Sequence, residues 1–379
     1  MEEKSPVYLV MVTTNNNNKY YRMIPHGDTF EVEYGRVGAS CQHASYSMSQ
    51  WNKKYNEKIK KGYVDQTHLV QDLIQKANGE QPIAELKLQD LTGYKEIENK
   101  VIAEIVQRLQ DMAHQKIQAN YKVSSQQVTQ AMVDEAQKVI DKLMQREEVE
   151  DFNNTLLELF SVIPRKMGNV NDYLSRSKED FARILKDEQD LLDVMRGQVV
   201  THTVQDEPDT DDVEEKQETI LEAMGLEFEE TTEEDVRMIK SLLGDCRDKF
   251  YRAWRVKNIK TQKRFDEFVN KEHISKTKLL WHGSRNENWW SIINTGLVLR
   301  PTNAVITGKM FGYGIYYAPK ARKSLGYTSI SGSYWARGNS SSAFMALMDV
   351  AYGKPYDVHS FDSKYYDFNY ERLQKTCPG

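Results

Sequence analysis

Cysteine is scarce in this 379-residue sequence, and no long apolar run occurs in it. The three cysteines, Cys41, Cys246 and Cys377, are far apart and form no Cys-x-x-Cys pair. Their spacing excludes a zinc finger and offers no disulfide framework, so we expect a reducing compartment and no resident metal. No apolar segment approaches the roughly 18 residues that cross a bilayer, and the first residues lack a signal-peptide pattern. We therefore expect a soluble, intracellular protein without a membrane partner.

An excess of positive charge is also missing. The formal net charge is -5 and the isoelectric point is near 6.0. This balance excludes a general polyanion binder, so any contact with nucleic acid requires a local basic patch. The chain is long enough for two or three domains, each with a core of its own.

The N-terminal segment alternates apolar and polar residues in three short runs, 7–12, 20–24 and 29–34. Turn-forming residues separate the runs, which predicts an antiparallel meander. A lysine-rich stretch with interleaved aromatic residues follows and is predicted to be helical; it includes Lys53 and Lys54. Such a run is either a local nucleic-acid patch or simply a solvated helix face.

The motif Tyr34-Gly35-Arg36 favours the nucleic-acid interpretation of this patch. Glycine permits a close approach of the backbone to a ligand, and it stands here beside a basic side chain. In this context residues 1–75 resemble a WGR domain, with Tyr34 in place of the tryptophan that names the motif. The resemblance implies binding to the ends of broken DNA. It also implies that Arg36 lies where this contact is relayed to a neighbouring catalytic domain.

Residues 84–200 change to the period of amphipathic helices, and Ser124 and Ser125 are the predicted N-cap of one of them. The segment resembles the helical regulatory domain of poly(ADP-ribose) polymerases, which implies an all-α bundle that restrains the cofactor cleft and places Asp193 near it. An acidic run follows and cannot bury a core, so residues 201–220 are predicted to be a flexible linker.

Two glycine-bearing motifs dominate the remaining segment, residues 221–379. In Trp281-His282-Gly283-Ser284-Arg285, the histidine follows an apolar run and is predicted to stand at a strand end. Gly283 leaves its backbone amide and carbonyl uncovered for a planar amide ligand, although a structural turn explains so short a motif equally well. Gly312-Tyr313-Gly314 lacks the third glycine and the following helix of a dinucleotide-binding loop, which excludes that fold. Further strands are predicted at 314–318, 350–352 and 356–359.

Together and at this spacing, the two motifs resemble the catalytic domain of DNA-dependent poly(ADP-ribose) polymerases. The resemblance also takes in Lys323-Ser324-Leu325-Gly326-Tyr327. It implies a multi-domain protein with a WGR-like domain of sheet plus helix, an all-α regulatory bundle and an α+β ADP-ribosyltransferase domain with mainly antiparallel sheets.

The family's residue roles can be placed on this sequence, with NAD+ as the substrate and no metal. His282 would bind ribose hydroxyls and Tyr316 would form one aromatic wall, and these two are the expected catalytic residues. Gly283 and Ser324 would clamp the nicotinamide carboxamide, and Tyr327 would stack on its ring. The remaining predicted NAD+ contacts are Ser284, Asn288, Arg300 and Ala318.

The family also uses a glutamate on a strand near its C-terminus, and we find no counterpart of it. Glu371 lies in a segment that resembles the region before that strand. We therefore expect the sequence to be truncated or incompletely recorded. For the 379-residue chain we predict NAD+ binding with transfer reduced by orders of magnitude, because preorganised charge stabilisation is a large catalytic term.

The resulting hypothesis is an NAD-dependent ADP-ribosyltransferase that DNA strand breaks activate in the DNA damage response, with proteins, itself included, as acceptors. It would act in the nucleus of a eukaryotic cell, and otherwise in the cytoplasm or nucleoid. The alternative is a catalytically silent protein that binds DNA ends and NAD+. A serine hydrolase is disfavoured, because the serine-rich stretch 329–333 contains no Gly-x-Ser-x-Gly elbow.

Overall fold

The computed structural model describes residues 4–70, 95–120, 128–205, 218–297, 310–312 and 314–378. The chain forms two compact units. The first contains residues 1–89, 115–199 and 303–307, and the second contains 90–114, 200–302 and 308–379.

The first unit begins with a five-stranded antiparallel sheet and one helix. Its elements are β1 (Val7–Thr13), β2 (Asn17–His26), β3 (Thr29–Arg36), β4 (Gln42–Ser47), α1 (Trp51–Lys60) and β5 (Val64–Asp65). The strand order is β4-β3-β2-β1-β5, so the predicted meander is confirmed. Alternate residues of β2 and β3, including Met23, Phe30 and Val32, are fully buried in a core that Trp51 of α1 completes. Period-two alternation therefore selects the buried face.

Helices follow in the stretch that was predicted to be helical. They are α2 (Lys100–Asn120), α3 (Gln130–Leu143), α4 (Val149–Val162) and α5 (Phe181–Gln205), and α2 is divided between the two units. Thr129 caps α3, since its hydroxyl accepts from the Met132 amide at 3.1 Å. The residues predicted as that cap, Ser124 and Ser125, lie outside the described residues. Helix α5 continues to Gln205, into the predicted linker, and the acidic run 206–217 also lies outside them.

The second unit mixes helices with two antiparallel strand pairs, β6–β7 and β8–β9. Its further elements are α6 (Ile220–Met224), β6 (Leu226–Glu230), α7 (Glu233–Leu243), β7 (Trp254–Asn258), α8 (Ile259–Lys271), β8 (Thr277–Gly283), α9 (Trp289–Thr295), α10 (Ala321–Leu325), β9 (Met345–Ala351) and α11 (Tyr370–Thr376). A small core of Leu243, Cys246, Trp281 and Ala321 anchors β8 between helices.

Two of the strand predictions in this unit were wrong. Within 314–318, only Ala318 bridges to a strand, through Trp281, and 356–359 forms no strand at all. A strand needs a hydrogen-bonding partner as well as β-forming residues. Among the described residues, no helix is long and apolar enough to cross a membrane. Those same residues contain no group of three His, Cys, Asp or Glu side chains placed so that they could hold one metal ion.

Candidate functional site

His282 stands near the end of β8, with its ring held by the segment that follows Gly312-Tyr313-Gly314. Its Nδ1 lies 3.0 Å from the Tyr316 carbonyl oxygen, which only accepts hydrogen bonds, so Nδ1 carries the proton. The rings of Trp289 and Tyr317 contact the imidazole edge-on at 6.2 and 5.8 Å. Burial lowers the pKa of His282, against the opposing effect of the Tyr316 carbonyl. The imidazole is therefore neutral near pH 7, and Nε2 is an acceptor for a hydroxyl group.

Gly283 packs directly against the backbone of Ser324. A Cβ atom on Gly283 would lie 2.0 Å from the Ser324 carbonyl oxygen, so no side chain fits there. Trp281 exchanges two backbone hydrogen bonds with Ala318, of 2.8 and 2.9 Å. Backbone groups alternate in direction along a strand, so Gly283 presents its N–H and C=O on the same side as Trp281. Among the described residues this edge has no backbone partner other than Ala318, and it can pair with both halves of a carboxamide.

Ser324 faces the same strand from α10, and its side chain is buried. Its hydroxyl donates to the Trp281 carbonyl oxygen at 3.0 Å. With the proton committed to this bond, the Ser324 oxygen can only accept a further hydrogen bond, for example from an amide N–H. Ala318 is buried too, and its role here is the backbone pairing with Trp281.

Tyr316 and Tyr327, the predicted aromatic walls, are partly exposed, at 41% and 40%. The Tyr316 hydroxyl donates to the Gly312 carbonyl oxygen at 2.8 Å and accepts from the Phe311 amide at 3.2 Å. Burial raises the pKa of Tyr316, and the nearby Tyr327 adds to this rise. Two partly exposed tyrosine side chains thus belong to the segments that contact β8, Tyr316 through its carbonyl oxygen and Tyr327 through the turn after Ser324.

A loop after β8 contributes polar groups to the same region. The side-chain nitrogen Nδ2 of Asn288 donates to the Ser284 hydroxyl at 3.1 Å. The side-chain oxygen Oδ1 of Asn288 is buried without a partner in the described part of the chain. Asn286 fixes this loop, because its backbone amide donates to Ser329 Oγ at 2.9 Å and its side chain donates to the Ser342 carbonyl oxygen at 3.0 Å. Arg300, also predicted to contact NAD+, lies outside the described residues.

Several contacts at the site carry no signal in the sequence. Trp335 stacks on Tyr327 with ring centroids 6.0 Å apart, and its amide donates to the Gly326 carbonyl oxygen at 2.9 Å. Gly312, at φ +76°, would place a Cβ 2.2 Å from the Phe368 carbonyl oxygen. Both contacts join residues that are distant along the chain or embedded in loops. Glu371 lies in the first turn of α11 and is exposed.

The predicted DNA and interdomain residues belong to the first unit, where Arg36 is tied to a helical connection. Its guanidinium donates to the carbonyl oxygens of Met167 and Gly168 at 3.0 and 2.7 Å. It also donates to the backbone and side-chain oxygens of Asn16, both at 2.9 Å. Arg36 therefore joins the sheet to the segment after α4. We call this set of contacts the Arg36 clamp.

Of the other three residues predicted to contact DNA or a neighbouring domain, two pack against aromatic rings and one lies on the surface. Tyr34 lies 5.9 Å from the Tyr21 ring, and the Lys58 ammonium lies over both rings at 5.8 and 4.1 Å. Lys54 covers the Tyr46 ring at 4.3 Å. Lys53 is exposed on α1. The ammonium groups of Lys54 and Lys58 are thus engaged in cation–π contacts, whereas the Lys53 side chain is exposed to solvent.

A buried ion pair continues from the Arg36 clamp to α5. Arg165 and Glu188 form a salt bridge in which both side chains are 8% exposed. The Arg165 carbonyl oxygen accepts from the fully buried Asn18 of β2 at 2.7 Å. The sheet and α5 are thus connected through Arg165. Asp193, further along α5, accepts from Gln189 at 3.5 Å, and its predicted nearness to the cofactor stays a prediction.

Two family models match this chain: the poly(ADP-ribose) polymerase catalytic domain over residues 233–374 and the WGR domain over residues 5–70. A protein of Invertebrate iridescent virus 6, uncharacterized protein 101L, is 33% identical over 195 residues, which cover 50% of this chain and 76% of the viral protein. Poly [ADP-ribose] polymerase 2-A of Oryza sativa is 27% identical over 224 residues, 56% of this chain and 31% of that enzyme. Poly [ADP-ribose] polymerase 2 of Homo sapiens is 49% identical over 57 residues, 15% of this chain and 10% of that enzyme.

The fold and the matches define a protein with an ADP-ribosyltransferase-type catalytic domain and a WGR domain. The chain belongs to the poly(ADP-ribose) polymerase family. It spans less than a third of the length of the two named polymerases. Catalytic domains of this family use NAD+ as substrate.

Proposed function

We propose that this chain binds NAD+ at the edge of β8 and transfers ADP-ribose to proteins. The observation that carries the proposal is the uncovered edge of Gly283 packed against Ser324, with His282, Tyr316 and Tyr327 around it. The Gly283 backbone and the Ser324 oxygen suit a carboxamide, and the two tyrosines suit the ring that carries it. The orphaned Oδ1 of Asn288 suits a ligand hydroxyl group.

The same arrangement suits cleavage of the nicotinamide–ribose bond. Cleavage builds positive charge on the ribose, so a site gains rate by gripping the leaving amide and orienting the sugar. Neutral His282 offers Nε2 to a ribose hydroxyl without adding positive charge beside the developing cation. None of these site side chains is a carboxylate. The named residues therefore support the proposed binding of NAD+ more directly than they support the proposed transfer of ADP-ribose.

Binding can be tested by calorimetric titration of NAD+ into the 379-residue chain and its His282→Asn variant. We expect at least about tenfold weaker binding in the variant, because a hydrogen bond to ligand is lost and the local packing changes. His273→Asn is the matched control, since His273 is exposed and its positive φ of 52° suits asparagine. Equal affinity in the two variants would overturn the proposed site.

We further propose that DNA strand breaks stimulate this activity through the WGR domain, in the nucleus of a eukaryotic host or otherwise in the cytoplasm or nucleoid. Exposed Lys53 and the Arg36 clamp support this view, since one is available to a phosphate and the other connects the sheet to the helices. Labelled NAD+ with and without nicked DNA tests it. DNA-stimulated label on protein supports the enzyme, whereas the silent alternative, which the comparisons do not favour, predicts none.

Arg36→Ala should reduce the DNA-stimulated label more than the basal label, because the clamp is broken while the NAD+ site is unchanged. Lys53→Ala should weaken DNA binding and leave the clamp in place. Equal loss of stimulated and basal label in Arg36→Ala would indicate misfolding and contradict the relay.

The helices are proposed to restrain the catalytic domain until DNA binds. In the second unit, Arg108 of α2 donates to Ser342 Oγ at 2.7 Å and covers the Phe344 ring at 5.4 Å. Ser342 and Phe344 also bond to Asn286, which fixes the loop after β8. Arg108→Ala, like deletion of residues 86–200, should raise DNA-independent activity. Unchanged basal turnover in both would leave the helices without an inhibitory role.

A further inference from the structure

Cys41, His43 and Glu31 form a hydrogen-bonded line at the β3–β4 edge of the N-terminal sheet. The Cys41 sulfur lies 3.3 Å from His43 Nε2, and His43 Nδ1 lies 2.8 Å from a Glu31 carboxylate oxygen. The strand register pairs Glu33 with His43, so Glu31 and His43 are diagonal neighbours on one face. Cys41 is partly exposed, and small reagents can reach it.

The order of these three groups matches that of an activated nucleophile. A carboxylate only accepts hydrogen bonds, so His43 Nδ1 donates to Glu31 and Nε2 turns its lone pair toward the thiol. A thiol beside a base that a third group orients is the arrangement that generates a thiolate. His43 lies between the other two groups and uses a different ring nitrogen for each. The three therefore do not converge on one point as metal ligands do.

The backbone of Cys41 lies against Gly35, the residue that precedes Arg36 of the Arg36 clamp. A Cβ on Gly35 would lie 3.2 Å from the Ser40 carbonyl oxygen and 3.5 Å from Cys41 Cα. Gly35 directly precedes Arg36. The Tyr20 side chain also meets Cys41, and burial, Glu33 and Cys41 together raise the pKa of Tyr20. A bulky group on Cys41 therefore presses on residues adjoining the clamp.

We propose that Cys41 is a reactive thiol that forms a mixed disulfide with small disulfides of the glutathione class, and that this modification loosens the Arg36 clamp. His43 Nε2 takes the thiol proton, and the thiolate attacks one sulfur of the small disulfide. A new S–S bond forms as the old one breaks, and the leaving thiolate takes the proton from His43. No other oxidant or reductant is required.

The chain supplies its own control for this reactivity. Cys377 is also partly exposed, and its thiol donates to the backbone carbonyl oxygen of Pro355 at 3.9 Å. Cys246 is buried. The full chain carrying Cys246→Ser with Cys377→Ser isolates Cys41, and Cys41→Ser with Cys246→Ser isolates Cys377. Each is mixed at pH 7 with an aromatic disulfide whose released thiolate absorbs light.

We expect Cys41 to react at least about tenfold faster than Cys377, because His43 Nε2 lies 3.3 Å from its sulfur and can take the thiol proton as the bond forms. His43→Asn should remove most of this difference, and Glu31→Gln should remove part of it. His68→Asn, at an exposed histidine of the same unit, should leave the rate unchanged. Equal rates for the two cysteines, or an unchanged rate in His43→Asn, would overturn the proposal.

The effect on the clamp is measured by hydrogen exchange after treatment with oxidised glutathione. Amides of residues 165–173 should exchange several-fold faster in the thiolated chain, as in Arg36→Ala, and dithiothreitol should restore the original rates. Cys41→Ser treated alike should not change. Unaltered exchange in a chain shown by mass to be thiolated at Cys41 would overturn the regulatory step. Neither experiment depends on NAD+ binding.

Discussion

Around Arg36 and Arg165, the guanidinium groups bind protein partners, although the neighbouring Asn18 Oδ1 is buried without one among the described residues, whereas around His282 a polar edge and two aromatic side chains are exposed. The Arg36 clamp and the buried Arg165–Glu188 pair cross-link a sheet, a loop and a helix. Among the described residues, the edge at Gly283 has no backbone partner other than Ala318, and Asn288 Oδ1 is buried without a partner; Tyr316 and Tyr327 are partly exposed. Closed networks hold a structure in place, whereas polar groups without protein partners are available to a ligand.

Substitutions in either region can test this difference. Changes at the open site should reduce ligand binding while global stability is largely kept. Changes in the closed network should reduce global stability while the NAD+ site is kept. A variant that behaves in the opposite way would show that the two regions have been assigned to the wrong roles.

The largest expected effect is that of Gly283→Ala on NAD+ binding. The added Cβ would lie 2.0 Å from the Ser324 carbonyl oxygen, so β8 and α10 must separate at the carboxamide edge. Both carboxamide hydrogen bonds to this edge would then be lost, at up to about 1.5 kcal/mol each, so we expect a loss on the order of 100-fold in calorimetric affinity. Gly314→Ala is the control, because its Cβ would meet nothing within 4 Å. Wild-type affinity in Gly283→Ala would contradict the edge as binding site.

The largest expected effect on stability is that of Glu188→Gln on the free energy of unfolding. Removing one partner of a buried ion pair leaves the other charge buried alone, which costs about 3–5 kcal/mol. Urea unfolding of the first unit measures the loss. Glu158→Gln breaks the exposed pair with Lys142 and should cost about 0–1 kcal/mol. Replacing both Arg165 and Glu188 by apolar residues should recover much of the loss. A cost for Glu188→Gln no larger than that for Glu158→Gln would refute the closed network.

The sequence was most informative where the structure depends on local periodicity. Alternation along β2 and β3 predicted both the meander and its buried side chains, since a period of two sends alternate residues to one face. The position of His282 at a strand end was predicted in the same way, from the apolar run before it. The strand predicted at 356–359 was wrong because strand formation depends on a neighbour that local residues do not specify.

Contacts between distant parts of the chain could not be predicted from the sequence. Arg36 meets carbonyl groups of residues 167 and 168, and backbone acceptors carry no signature in a sequence. Likewise nothing in the serine-rich loop indicated that Trp335 would stack on Tyr327. The resemblance of the motifs indicated which residues belong together, and the structure adds how Ser324 and Tyr316 are held by main-chain partners.

A smaller effect is expected for Trp335→Ala, which sharpens the view of the open site. Trp335 stacks on one face of Tyr327 at an interplanar angle of 16°, so it holds the ring that is proposed to face nicotinamide. Aromatic pairs contribute about 0.5–1.5 kcal/mol, which corresponds to roughly 2- to 12-fold in affinity. Trp335→Phe should keep most of the affinity for nicotinamide in a titration. Tyr251→Ala, at a residue that is 90% exposed, should change nothing. Equal affinities of Trp335→Ala and Trp335→Phe would contradict a positioning role for the ring.

The smallest effect concerns pH, and it tests whether His282 is held neutral. Burial lowers the pKa of His282 in the folded chain, while in the unfolded chain the group titrates near its ordinary value of about 6.5. Unfolding therefore takes up a proton between these two pKa values. The stabilisation by neutral His282 is fully present above the unfolded value and is lost as the pH falls through the folded value. The wild type should lose more stability than His282→Asn between pH 7.5 and 5, as measured by urea unfolding of the second unit. The reverse order would mean that the folded protein favours the imidazolium, and the neutral acceptor at Nε2 would then be wrong.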